Sequence, residues 1–181
     1  MRLFTLLLLA AAISADAAPV TGSVKCGKKH LAGVTVSDGY NCTVTDRNGM
    51  FTLELDPDAD YVSVSTPAGY LPPVDSLNHP LFYIAVGYER TVYDFNLVRN
   101  KRDDRRHSFM VQADIQVVAE EELCEYDRQV ADARDHFSGM GKIDVFGLDC
   151  GDIVGDHPEL YPSSLRHRAG LGFPVYHVMG N

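Results

Sequence analysis

No Cys-x-x-Cys spacing occurs in these 181 residues, so neither a zinc ribbon nor a thiol-redox motif is indicated. Long apolar runs are missing too. The longest, Leu3–Ile13, has eleven residues, well short of the ~20 that span a bilayer as a helix. Positive charge is scarce: 16 Lys and Arg face 25 Asp and Glu, for a net charge of −9. The deficit runs the whole length, with 6 basic and 9 acidic residues in 18–100 and 9 and 15 in 101–181. Nucleic acid and anionic membrane surfaces are therefore poor candidates for the main partner. Ser163 and Ser164 lack a nucleophile-elbow context, which argues against serine-hydrolase chemistry. There is no internal repeat and no low-complexity segment.

What is present begins with a leader. Arg2 precedes the short apolar run, and Ala15-Asp16-Ala17 fits a small-x-small cleavage site. Residues 1–17 thus read as a signal peptide, with a mature chain from Ala18 and an exported, periplasmic or extracellular, destination. A retained membrane anchor is the competing reading. Export permits disulfides. Cys26 and Cys42 lie on strand-like segments and can pair, while Cys124 sits in a helical pattern and Cys150 at a strand end. Four cysteines allow three pairings, and buried free thiols remain an equal alternative for Cys124 and Cys150.

Residues 18–100 read as an all-β sandwich domain. Short β-branched or aromatic runs at 20–24, 33–37, 41–45, 50–55, 61–66 and 92–98 alternate with turn signals such as Asp38-Gly39 and Asp46-Arg47-Asn48-Gly49. The doubly signed stretch Lys101-Arg102-Asp103-Asp104-Arg105-Arg106 reads as a linker. From residue 107 the pattern changes to strand, helix, strand, helix, strand. Leu123, Tyr126, Val130, Ala133 and Phe137 fall on one helix face within 119–137. Strands at 108–113, 144–150 and 173–179 flank this helix and a second at 158–169, which predicts a parallel α/β sheet. In such sheets ligands bind beyond the carboxyl ends of the strands.

Each predicted strand ends in a polar turn. Asp114-Ile115-Gln116 places two oxygen donors at i and i+2, on one side of an extended segment. In Gly151-Asp152 the glycine permits a sharp turn and Asp152 follows with a carboxylate able to bridge two cations. Gly180-Asn181 repeats the geometry with a neutral amide. Asp156 suits a helix cap better than a ligand. One such turn means little; three at successive strand ends point to a hydrolytic metal site. His30, His79 and His107 carry no assigned role, and His177 reads as structural.

The ordered set Asp114-Ile115-Gln116, Gly151-Asp152-Ile153-Val154-Gly155-Asp156 and Gly180-Asn181 resembles the first half of a calcineurin-like metallophosphoesterase. That resemblance implies a four-layer α/β/β/α domain, of which 107–181 is the first part, and two divalent metal ions per site (Mn, Fe, Zn or Mg). Asp114 and Gln116 would serve the first metal, Asp152 would bridge, and Asn181 would bind the second metal and the phosphate. Asp152 and Asn181 are thereby the catalytic candidates, around a metal-bridging hydroxide that attacks phosphorus. The implied substrate is a phosphate mono- or diester, a small molecule or a phospholipid. Gln116 stands where the family has His, and the family's following His and its later His ligands have no counterpart in 1–181; His157, His167 and His177 do not match them. The sequence therefore reads as a fragment that stops inside the site, inactive by itself. Three parallel strands with two helices are also expected to leave one sheet face uncovered, so that 107–181 alone is loose or aggregates. Gly33–Gly39 followed by Thr45–Phe51 resembles prealbumin-like, carboxypeptidase-regulatory-type sandwiches, implying a spacer or docking module. A non-catalytic surface or periplasmic binding module with a vestigial tail is the alternative reading of the whole.

Overall fold

A computed structural model describes residues 19–180; residues 1–18, with the expected leader at 1–17, and Asn181 lie outside them. No helix among the described residues is long and apolar enough to cross a membrane.

The front region is built almost entirely of strands: β1 (Val20–Cys26), β2 (Lys29–His30), β3 (Thr35–Ser37), β4 (Cys42–Val44), β5 (Met50–Leu53), β6 (Tyr61–Val64), β7 (Tyr70–Leu71), β8 (Tyr83–Ala85), β9 (Val92–Asn96) and β10 (Val98–Arg99). One sheet runs β2-β1-β5 with β9 alongside β1 in parallel. A second runs β4-β3-β6-β8, all antiparallel. Alternation makes the core: β5 and β9 bury every second side chain, Phe51 and Leu53 in one, Tyr93 and Phe95 in the other. Val20 and Val24 join them, and Val36, Val62 and Val64 enter the same cluster from the second sheet. Two sheets sharing one apolar core are compatible with a β-sandwich. The Asp46–Gly49 turn is fixed locally: Asp46 Oδ1 accepts from the amides of Asn48 and Met50 at 2.8 Å each. Gly49 (φ 71°) closes the turn so tightly that a Cβ would sit 2.7 Å from the Val24 carbonyl oxygen. Asp38, 5% exposed, plays a similar part, accepting from Tyr40, Asn41 and Asp56 amides at 2.9, 2.6 and 2.7 Å. Burial pushes its carboxyl up, but those backbone donors outweigh it and hold it below the usual range.

The rest of the chain forms β11 (His107–Gln112), α1 (Leu123–Ser138), β12 (Asp144–Cys150), α2 (Tyr161–Arg168) and β13 (Val175–Val178). The three strands make a parallel sheet in the order β11-β12-β13, as the alternating pattern predicts. The α1 face is also as expected: Leu123, Tyr126 and Val130 are buried, with Ala133 and Phe137 packed beside them. The helix starts later than the pattern suggests, because Glu120–Glu122 form a 3₁₀ turn in which Glu122 Oε2 accepts from the Val118 amide at 2.9 Å. Met110, Val145 and Val175 face the helices. The opposite sheet face is apolar and largely open, with Phe109, Val111 and Val178 53, 54 and 59% exposed.

The two regions are fastened together. Asn100 Nδ2 donates to Asp144 Oδ2 at 2.6 Å and Arg102 Nη1 to the Ile143 carbonyl at 2.8 Å. The amide of Gly69 donates to Asp104, so the charged stretch 101–106 is held on both sides. A loop of the front region makes a second clasp. Asn78 Nδ2 donates to the Ala169 carbonyl at 2.8 Å, and the Val175 amide donates back to the Asn78 carbonyl at 3.1 Å. Phe82 packs on Tyr176, ring centroids 5.6 Å apart, which covers the β13 side of the open face.

Two expectations are corrected. All four cysteines are free; Cys42, Cys124 and Cys150 are exposed and Cys26 half-buried, so neither a disulfide nor a buried thiol describes Cys124 and Cys150. And 114–116 is not extended: Asp114 and Gln116 have φ of 52° and 46°, since β11 stops at Gln112.

Candidate functional site

The polar turns after the three strands meet at one end of the sheet. Asp114, Gln116 and Asp152 (φ 50°) are three of the four non-glycine residues with left-handed backbone among the described residues. Such conformations cost about 1–3 kcal/mol each and persist only where surrounding structure imposes them. Here backbone pairing does so. The Gln116 amide donates to the Asp152 carbonyl at 2.9 Å, the Val117 amide to that of Ile153 at 3.2 Å, and the Gly155 amide to that of Val117 at 3.0 Å. The first and second turns are thus bound edge to edge, beside a parallel bridge between Val117 and Val154. Gln116 Nε2 lies 3.4 Å from Asp114 Oδ1, so the pair share a side through the left-handed turn and not through an extended pleat.

The second and third turns touch as closely. A Cβ on Gly151 (φ 85°) would fall 2.4 Å from Gly180 Cα, and one on Gly180 would fall 1.9 Å from Asp152 Oδ1. Only glycine fits either position. A cleft of about 380 Å³ opens here, lined by Asp152, Ile153, Tyr161, His177 and Met179 among others. Asp114 and Gln116 are exposed beside the turn, and Asp152 is half-buried. Asn181, the remaining candidate, lies outside the described residues.

Beneath the turns is a buried polar network that the sequence reading missed. Asp149 and Arg168 are 0 and 1% exposed, and Arg168 Nη1 donates to Asp149 Oδ2 at 2.9 Å. Gln112 Nε2 donates to Asp149 Oδ1 and, at 3.1 Å, to the Tyr126 hydroxyl. Burial, first of all, drives the Tyr126 phenol up to about 12. Arg168 Nη2 also donates to the Leu77 carbonyl at 3.1 Å, carrying the network into the front region. The signal for it was an acid inside the apolar run Val145–Cys150, a residue that must find a cation when buried.

His177 links this network to the cleft. Its Nδ1 is 3.2 Å from Asp149 Oδ2, and its ring meets Arg168 Nη1. Arg168 only donates, so His177 offers a lone pair at Nε2, and its Nδ1–H faces Asp149. Desolvation, then the Arg168 charge, lower its pKa to about 4 against the pull of Asp149; His79, ring centroid 5.1 Å away, also lowers it. His177 is therefore a neutral imidazole at pH 7.

The donors at the strand ends are hard oxygens, two carboxylates and an amide, of the kind that suits divalent cations. Their number falls short: no group of three or more His, Cys, Asp or Glu side chains among the described residues could hold a metal ion. The described residues alone do not fit a metal centre.

Residues 18–100 match the family model for the N terminal of Calcineurin-like phosphoesterase. No curated protein matches the chain. The matched residues carry none of the candidate ligands; they precede the sheet that does. The front region is thus similar to the N-terminal region of calcineurin-like phosphoesterases.

Proposed function

We propose that this protein is an exported, divalent-metal-dependent phosphoesterase in which 18–100 is a non-catalytic sandwich module, 101–106 a connector and 107–181 the first part of the catalytic domain. One conjunction carries the reading: a module similar to those that precede phosphoesterases stands before a parallel sheet whose strand-end turns gather Asp114, Gln116 and Asp152. Those residues, with Asn181, would supply oxygen donors to a divalent cation pair completed by ligands from outside the described residues. Gln116 in place of an imidazole favours a harder ion. The substrate class is a phosphate mono- or diester, and the reaction is cleavage of a P–O bond by water. The leader at 1–17 is the basis for proposing a periplasmic or extracellular site of action.

The protein expressed from its complete reading frame tests this. It should hydrolyse an aryl phosphate or an aryl phosphodiester when Mn²⁺ is added, and Asp152→Asn should remove at least 99% of that rate, as loss of a transition-state contact of about 3 kcal/mol requires. Metal-independent turnover, or full activity in the variant, would sink it. The incomplete ligand set among the described residues favours a second reading, a binding module with a vestigial tail; absence of any Mn²⁺-dependent turnover selects it.

A further inference from the structure

A second cavity, about twice the volume of the strand-end cleft, lies away from the strand-end turns. It measures about 760 Å³ and sits at the opposite end of the parallel sheet, between β7, β10 and the 72–74 segment on one side and the starts of β12 and β13 on the other. Its volume is in the range of small-molecule sites, and junctions between structural units are where such sites concentrate. The walls are apolar: Leu71, Pro72, Val74, Phe146, Pro174 and Tyr176 contribute. The rim is not. Arg99, Lys101, Arg102 and His107 stand along it with Asp104 and Asp144.

The charges at this rim are unequally engaged. Asp104 already accepts from the Gly69 amide. Asp144 accepts from Asn100 at 2.6 Å and lies 3.9 Å from Arg102. Arg99 and Lys101 make no ion pair among the described residues. Arg99 instead lies over the Tyr70 ring, 5.2 Å from its centroid, and Lys29 reaches the same ring from 5.8 Å while donating to its hydroxyl at 3.0 Å. That Lys29 contact, foremost, lowers the Tyr70 phenol. On a protein of net charge −9, Arg99, Lys101 and Arg102 thus stand at the mouth of this apolar cavity with two acids, Asp104 and Asp144, that are already engaged. Arg99 and Lys101 are exposed, and an anion between them would meet two cations that pair with no acid among the described residues.

We infer that this groove binds one molecule of an amphipathic anion, a single alkyl or aryl chain bearing phosphate, sulfate or carboxylate, with the chain between Leu71 and Phe146 and the head between Arg99 and Lys101. The inference does not rest on the proposed enzyme activity, since the groove is remote from Asp152. Neither a free inorganic anion, which would leave the apolar walls wet, nor a membrane surface, which a recessed groove does not meet, satisfies the same contacts.

Calorimetric titration of the whole chain with monomeric dodecyl phosphate tests it. Saturable 1:1 binding is expected, at least tenfold tighter than dodecyltrimethylammonium, with inorganic phosphate alone giving none. Leu71→Asp and Arg99→Ala should each weaken binding at least tenfold. Leu71 is 36% exposed, so the fold should tolerate that change, which circular dichroism checks. Val111→Asp, on the open sheet face and 54% exposed, should change binding less than twofold. Absence of saturation, equal binding of the cationic detergent, tight binding of inorganic phosphate, uptake only into anionic vesicles, or loss on Val111→Asp but not on Leu71→Asp would each overturn the proposal.

Discussion

The two regions of this molecule treat difficult backbone positions differently, with Asn78 the front region's exception among the described residues. In the front region, the tight turns at Gly27, Gly33, Gly39, Gly49 and Gly69 put glycine at positive φ, where it costs least. At the ends of the parallel strands, Asp114, Gln116 and Asp152 hold the same conformation with polar side chains attached. A chain that uses glycine freely elsewhere keeps carboxylates and an amide where glycine would be easier. The difference fits a front region organised for stability and strand ends whose side chains have the roles proposed above. Burial tells the same story: the front sheets close on each other around one core, whereas the parallel sheet covers one face with helices and leaves Phe109 and Val111 on the other in water.

The sharpest way to break the comparison is to remove one member of a buried pair. Arg168→Ala leaves the Asp149 carboxyl group, 0% exposed, without its guanidinium partner, and should cost about 3–5 kcal/mol in urea unfolding. Because Arg168 also holds the Leu77 carbonyl, the loss should spread to the 75–79 loop as faster amide exchange. The front-region counterpart, Asp38→Ala, strips three backbone amides of a charged acceptor and should cost about 2 kcal/mol. A smaller loss for Arg168→Ala than for Asp38→Ala would show that the network under the strand ends is not what holds that region.

Acid should affect the two regions in separate windows. His177 has a folded pKa of about 4 against 6.5 unfolded. The unfolded state thus binds the extra proton first, and stability falls as pH drops from about 7 toward 4. Above pH 7 this contribution is complete and flat. Charging His177 also sets it against Arg168 and His79, with only Asp149 to offset them. His177→Gln should flatten the melting temperature between pH 7 and 4.5. Asp38, whose folded pKa is lowered, contributes above its unfolded value near 3.8 and loses that contribution only as pH falls further. A wild-type melting temperature that stays level from pH 7 to 4.5 would contradict the assignment for His177.

The smallest effects concern the turns themselves. Asp114→Gly relieves a left-handed side chain and should raise stability by about 1 kcal/mol, while Gly49→Ala, whose Cβ would meet the Val24 carbonyl oxygen at 2.7 Å, should lower it. Loss of stability in Asp114→Gly would mean that the aspartate is kept for structure.

Much of this architecture is legible in the chain because it rests on periodicity. The alternation in β5 and β9 and the Leu123–Phe137 stripe follow directly from which residues must leave water. What was not legible depends on partners distant in sequence. Lys29–His30, Tyr70–Leu71 and Tyr83–Ala85 are strands because neighbours pair with them, and the last two sit among prolines that argue for loops. The burial of Asp149 could be suspected, but its partner nineteen residues later could not be chosen from several arginines. The Asp114–Gln116 turn was misread as extended because its left-handed shape is imposed by hydrogen bonds to 152 and 153.

Manganese binding to the protein expressed from its complete reading frame, followed by loss of the free Mn²⁺ electron paramagnetic resonance signal, tests most directly whether the strand-end turns form part of a ligand site. The account predicts saturable binding that Asp114→Asn and Asp152→Asn each weaken at least tenfold, while Asp38→Asn leaves it unchanged. Binding that is absent, or indifferent to Asp114 and Asp152, would contradict it.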